Sequence, residues 1–234
     1  MRYGSYLTFE EYEGYVADLK EKGTPFEINK FENKIIVRTS GENGYSHAIL
    51  FDPTLTVESL TESIMQTGKF PAGMVSKIND NVNQTKAVKV VEATIQKFPT
   101  NLFLMGSPRT GKTFAIIYAA MALFAQNKIS KPYFLRANEI QKFWRNDCWI
   151  FDIDWLESDL LILDDLGSET QPKHISNPNQ DRKALILELI DLRLTDVKPL
   201  FITTNLSTEQ DISDRYEDRF LRRIDDWMNI ENVD

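Results

Sequence analysis

The chain has 234 residues, 42% of them apolar, enough for one good core or one core plus a small appended domain. Charged residues make up 26% without Gly or Pro enrichment, which excludes a disordered chain, and the net charge of −8 argues against a non-specific nucleic-acid coat. One cysteine, Cys148, excludes an internal disulfide or a cysteine-based zinc site and points to a reducing, cytoplasmic setting.

The N-terminus MRYGSYLTFEEYEGY lacks a signal-peptide apolar core, and no window approaches a membrane span, so no membrane association is expected. LTFEEYEGYVADLKEK has helical apolar spacing and a Thr8–Glu11 capping box. FEINKFENKIIVRTS reads as two short strands around Glu32-Asn33, and YSHAILFD as a third after the Gly41–Gly44 turn. TVESLTESIMQTG reads as a helix. FPAG and NDNVNQT supply a break. The expected organisation is a small α+β unit over residues 1–70, a linker over 71–83 and a second domain over 84–234. The first unit carries no chemical motif and reads as a packing or docking module. His47 and His174 lie far apart and read as structural rather than metal-binding.

From residue 84 the pattern changes. KAVKVVEATIQKF is an amphipathic helix. NLFLM, PYFLRA, DLLILDD and PLFITTN are short apolar runs, separated by FAIIYAAMALFAQ, ANEIQKFWRN and KALILELIDLRLT, which read as helices. Continuous apolar strands between helices predict a parallel sheet covered on both faces.

Four motifs carry chemistry. In GSPRTGKT, Gly106 and Gly111 permit a tight turn whose amides point at phosphate. Lys112 reaches the β- and γ-phosphates, and Thr113 offers a hydroxyl to Mg²⁺. The candidate nucleotide-binding residues are Gly106, Ser107, Pro108, Arg109, Thr110, Gly111, Lys112, Thr113 and Phe114. A chance match should arise in roughly one such chain in a hundred or fewer, and the flanking strand and helix weaken that alternative further. DLLILDDLG ends a buried strand in two carboxylates. Asp164 is placed to hold Mg²⁺ and Asp165 to orient or deprotonate water, with Glu169 a weaker candidate for that role. PLFITTN ends in Thr203-Thr204-Asn205, where Asn205 is expected to reach the γ-phosphate or the water. ISDRYEDRFLRRID clusters Arg215, Arg219, Arg222 and Arg223. Asp and Glu partners at helical spacing account for some of them, and an arginine given to a neighbour's γ-phosphate accounts for the rest. Aromatic and basic residues interleave at Lys142–Arg145, where Lys142 and Arg145 are candidate contacts to single-stranded DNA. The favoured alternative makes Phe143 and Trp144 core residues with a solvated basic edge.

These motifs, in this order, resemble the AAA+ ATPases of the bacterial replicative helicase loaders of DnaC/DnaI type and their relative, the IstB transposition helper. The similarity runs from about Lys86 to Ile224. It implies a P-loop NTPase of α/β class without a C-terminal lid, using ATP and Mg²⁺. Lys112 and Thr113 would be Walker A residues and Asp164 and Asp165 Walker B residues. Asn205 would be the sensor and Arg219 the arginine finger, making Lys112, Asp165, Asn205 and Arg219 the catalytic set. Arg223 and Arg215 would be further trans-acting or sensor candidates, and Arg193 falls where the loaders also carry an arginine. The implied partners are a hexameric replicative helicase, a second copy in the ATP state, and single-stranded DNA. The alternative is a helper that binds DNA and a transposase. The chain departs from the family at Arg109 and Glu217, which stand in place of glycine, in the long polar segment after Asp165, and in lacking a zinc-binding cysteine cluster. Ten residues follow Ile224, too few for a helical lid.

Overall fold

The computed structural model describes residues 9–31, 34–40, 46–51, 57–80, 82, 84–145, 147–169 and 181–234. The chain forms two compact units, Met1–Ser63 and Ile64–Asp234. The division falls inside a helix and precedes the segment 71–83 read from sequence as a linker. That segment contains a helix, Ala72–Asp80, within the second unit. Its buried Val75 and Ile78 explain the difference, because three-residue apolar spacing outweighs the flanking Pro and Asn signals.

In the first unit, α1 (Phe9–Glu21) is followed by β1 (Phe26–Phe31), β2 (Lys34–Ser40) and β3 (Ser46–Phe51), an antiparallel meander in the order β1-β2-β3. Tyr12, Val16 and Leu19 lie on one stripe of α1 and pack with Ile35 and Val37, the inward positions of β2. α2 (Val57–Thr67) spans the division, and α3 (Ala72–Asp80) follows.

The second unit continues with α4 (Lys86–Gln96), β4 (Leu102–Met105), α5 (Lys112–Ala125), β5 (Pro132–Arg136), a hairpin of β6 (Phe143–Arg145) and β7 (Cys148–Ile150), and α6 (Ile153–Glu157). Then come β8 (Leu160–Leu166), α7 (Arg182–Thr195), β9 (Leu200–Thr204), α8 (Glu209–Tyr216), α9 (Asp218–Trp227) and β10 (Asn229–Asn232). The main sheet has five strands in the order β10-β4-β9-β8-β5. Each neighbouring pair is parallel. β4, β8 and β9 are apolar runs buried on both faces, as helix-covered parallel strands require. Leu160 to Leu163 are fully buried, and each contributes about 1.5–3 kcal/mol relative to exposure. That burial fixes where the polar residues after them emerge.

Two further elements differ from the sequence reading. ANEIQKFWRN is not a helix but a short 3₁₀ turn (Ala137–Glu139) leading into β6. Asp147, at φ +59°, turns the chain into β7, a hairpin signalled by Asn146-Asp147 between aromatic residues. Lys142 and Arg145 are therefore not on one helix face. The second difference is β10, a fifth strand paired to β4 and not expected from its polar sequence NIEN. No helix among the described residues is long and apolar enough to cross a membrane.

Candidate nucleotide-binding site

The sheet order places the site. From β4 the chain crosses to β5 on one side, whereas from β9 it crosses to β10 on the other. The carboxyl ends of β4, β9 and β8 thus open on a crevice where strand order reverses, the usual ligand position in such sheets. GSPRTGKT leaves β4 there. Gly106 and Gly111 take φ of +144° and +88°, both glycine-favoured. α5 starts at Lys112 with Gly111 as its N-cap, so its first amides and positive dipole end face the crevice.

Arg109 is also left-handed, at φ +71°, and its side chain is exposed. The loop keeps its turn with a non-glycine there, at a conformational cost of about 1–2 kcal/mol. Ser107 and Pro108 are exposed as well, and Thr110 and Phe114 are half-buried.

Lys112 is 6% exposed and turns back over the loop. Its Nζ donates to Gly106 O (2.8 Å), Ser107 O (2.7 Å) and Thr110 Oγ1 (3.2 Å). All three acceptors are uncharged. Burial pulls the Lys112 pKa down, opposed by Asp234, Asp165 and Asp164. A buried ammonium bonded only to neutral oxygens is under-compensated, and a phosphate group fits that deficit.

Asp164 shows the complementary deficit. It is 5% exposed, and its Oδ1 accepts the hydroxyls of Thr113 (2.8 Å) and Thr203 (2.7 Å). Burial pushes its carboxyl above the ordinary range, against the two hydroxyl hydrogen bonds. A carboxylate and a Thr hydroxyl meeting beside a phosphate loop are the oxygen donors a small hard cation takes, so Mg²⁺ fits Thr113 and Asp164. Thr203 had no role assigned from sequence. Its hydroxyl also accepts the Asp165 amide at 2.9 Å, which ties β8 to β9 at the site. The available signal was its place near the end of a strand adjoining β8.

Asp165 has φ +59° and accepts Asn205 Nδ2 at 2.7 Å. The two polar ends of β8 and β9 thereby face each other at the crevice. Glu169 sits differently. Its carboxylate is fully buried and accepts Tyr216 Oη (2.6 Å), Gly167 N (2.9 Å), and Arg215 Nη2 (2.9 Å) and Nε (3.2 Å). It is a closed anchor between β8 and α8, with its lone pairs committed. Arg215, in turn, is spent on Glu169 within the protomer.

The remaining arginines diverge. Arg223 is ion-paired to Asp191 on α7. Arg219 is exposed and has no hydrogen bond or ion pair among the described residues. It lines a groove of about 410 Å³ between α7 and the α8–α9 corner, with Leu192, Tyr216 and Phe220. That corner turns at Glu217, at φ +72° and ψ +157°. The glycine expected at this point of the resembled segment thus has a conformational reason. Arg193 is 1% exposed, and among the described residues none of its hydrogen-bond partners belongs to the crevice. It donates to the carbonyls of Trp155, Leu156, Ser158 and Pro199, stapling the end of α6 to the start of β9. Lys142 pairs with Glu188 at 2.5 Å and lies over the Phe151 ring. The side chain of Arg145 lies outside the described residues.

One contact had no sequence signal. Asp234, beyond β10, accepts the Ser107 amide at 2.5 Å. Its position follows from the unexpected pairing of β10 with β4.

No family model matches the chain, and no curated protein is significantly similar to it. Among solved structures, a crystal structure of the DnaC helicase loader is similar, at 23% identity and TM-score 0.51, over 66% of this chain and 92% of that one. A crystal structure of DnaI aligns at 20% identity and TM-score 0.49, over 66% of this chain and 88% of that one. AMPPCP-bound DnaA from Aquifex aeolicus aligns at 15% identity and TM-score 0.45, over 66% of this chain and 48% of that one. With its parallel sheet, strand order and phosphate loop, the second unit has a P-loop α/β fold similar to that of the DnaC helicase loader structure.

Proposed function

We propose that the chain is a regulatory ATPase that docks on a hexameric replicative helicase and places it on single-stranded DNA, with ATP binding favouring assembly and hydrolysis favouring release. The observation that carries this reading is the incomplete charge balance of the site. Among the described residues buried Lys112 has no bonded anion, buried Asp164 no bonded cation, and exposed Arg219 no hydrogen-bond or ion-pair partner. Mg-ATP would supply the missing charges and the transferable phosphoryl group. Lys112 and the loop amides would bind the phosphates, and Thr113 and Asp164 the cation. Asp165, oriented by Asn205, would position water and receive its proton. An Arg219 from an adjoining copy would stabilise the developing charge. The similarity to a structure of a helicase loader supports the partner class. The N-terminal α+β unit would provide partner docking.

A second reading, a DNA-binding transposition helper, is favoured by one observation. Lys86, Lys89 and Lys97, on α4 and at its C-cap, line a common trough, and among the described residues Lys89 and Lys97 have no carboxylate partner while Lys86 donates to Asp234 O. One set of assays with the full chain separates the readings. ATP hydrolysis per site should rise with protein concentration or with added hexameric helicase, vanish in Lys112→Ala, and fall in Arg219→Ala while nucleotide still binds. Full hydrolysis by Lys112→Ala would sink the P-loop assignment. Stimulation by duplex DNA and transposase, with none by helicase, would reverse the ranking.

A further inference from the structure

The outer rim of the P-loop is held by the segment that follows β10. Because β10 runs parallel to β4, the chain leaving β10 travels alongside the strand that feeds the loop, with Asn232 opposite Met105. Val233 is buried, and its amide donates to Met105 O at 3.0 Å. That anchor delivers Asp234 to the loop's first residues. Asp234 Oδ1 accepts the Ser107 amide at 2.5 Å, and Lys86 Nζ donates to Asp234 O at 2.6 Å. A Cβ on Gly106 would lie 3.0 Å from the same Oδ1, so the absent side chain is what admits the carboxylate. Asp234 is also the strongest of the attractions acting on Lys112. A carboxylate therefore occupies a backbone amide of the phosphate loop and attracts the loop's cation without bonding to it.

We propose that the Asp234 side chain is an anionic latch on the P-loop, which opposes entry of nucleotide phosphates and swings out when nucleotide binds. The proposal rests on the nucleotide-binding reading above. The chemistry is substitution of like for like: a carboxylate oxygen presents to Ser107 and Lys112 the same negative charge that a phosphate oxygen does. The geometry allows release. Asp234 is exposed, whereas the fixed point of the segment is Val233, so side-chain rotation frees the loop without unpairing β10. The latch sets the apparent nucleotide affinity below that of the bare loop.

The test is titration of the full chain with a fluorescent ADP analogue, comparing wild type, Asp234→Asn and Lys112→Ala. Asparagine keeps an oxygen that accepts the Ser107 amide and removes the charge. Affinity for Asp234→Asn should rise by about three- to tenfold, with the gain shrinking at high salt as expected for a charge effect. Equal or weaker binding by Asp234→Asn, beside a wild type that binds and a Lys112→Ala that does not, overturns the latch and leaves the nucleotide reading intact. No binding by wild type or Asp234→Asn overturns the nucleotide reading itself. A nucleotide-free measurement adds an independent arm: the Ser107 amide should exchange faster in Asp234→Ala than in wild type, and an unchanged rate refutes the contact.

Discussion

Replacing Glu217 by glycine should stabilise the second unit. Glu217 joins α8 to α9 at φ +72° and ψ +157°, a region that L-residues enter only under strain. The strain costs about 1–3 kcal/mol. Its side chain is exposed and makes no hydrogen bond or ion pair among the described residues, so removing it forfeits little. Glycine brings back about 0.4–1 kcal/mol of unfolded-state entropy. The difference predicts a net gain of about 0.5–2 kcal/mol, equivalent to about 1–8 °C in melting temperature for a domain of this size. Urea unfolding, followed through the fluorescence of buried Trp155, measures it. Glu217→Ala is the internal control, because it removes the carboxylate but keeps the Cβ that causes the strain. A glycine variant no more stable than the alanine variant would refute the reasoning. The strain would then be absent, or the gain would come from relieving acidic repulsion.

Arg109→Gly rests on similar grounds, since φ is +71° and the side chain is exposed; relief of about 1–2 kcal/mol against about 0.4–1 kcal/mol of glycine entropy predicts at most about 1.5 kcal/mol of stabilisation, and calorimetry reads it. Nucleotide affinity should be unchanged in that variant, and a loss would assign the arginine a phosphate contact. Arg193→Ala should cost about 3–5 kcal/mol, because it strands the carbonyls of Trp155, Ser158 and Pro199 and opens a cavity. Arg193→Lys should recover little, since one ammonium cannot span acceptors bonded by two guanidinium nitrogens; denaturation midpoints compare the two. Asp159 gives a pH test. Burial works to raise its carboxyl, but hydrogen bonds from the Ser130 hydroxyl and amide and the Lys131 amide outweigh burial and hold it below its ordinary value. A depressed folded pKa stabilises the protein above the unfolded value of about 3.9 and ceases to do so as pH falls through the folded value. Asp159→Ala should therefore lower the melting temperature at pH 7 and make progressively less difference as pH falls through the folded value, as parallel melting series would reveal.

The elements that sequence anticipated were those whose signal is local. β4, Leu160–Leu163 of β8 and Leu200–Ile202 of β9 are unbroken apolar runs, and those of β8 and β9 lead directly into the polar residues that meet the crevice. GSPRTGKT carries its own glycines, and α5 follows from its apolar composition. What escaped was non-local or competed with a local signal. β10 has four residues and two apolar neighbours at its flanks, Met228 and Val233, so only its pairing with β4 makes it a strand. Asp234 is consequently unreadable as a loop contact. In β6–β7 the apolar spacing of ANEIQKFWRN imitates a helix, and the turn at Asp147 overrides it. Among the arginines, composition gave a cluster, but only side-chain placement distinguishes Arg215 on Glu169 and Arg223 on Asp191 from Arg219.

The Thr203 hydroxyl has a single proton. Because its oxygen accepts the Asp165 amide, that proton is directed to Asp164 Oδ1, and the rotor is frozen in one sense. Thr113 donates to the same oxygen. The two oxygens of Asp164 are thus chemically unequal. Oδ1 is doubly solvated by hydroxyls, whereas Oδ2 receives no donor among the described residues and remains the more basic face. The carboxylate is polarised across its own width before any ligand arrives, and β9 sets the direction of that polarity.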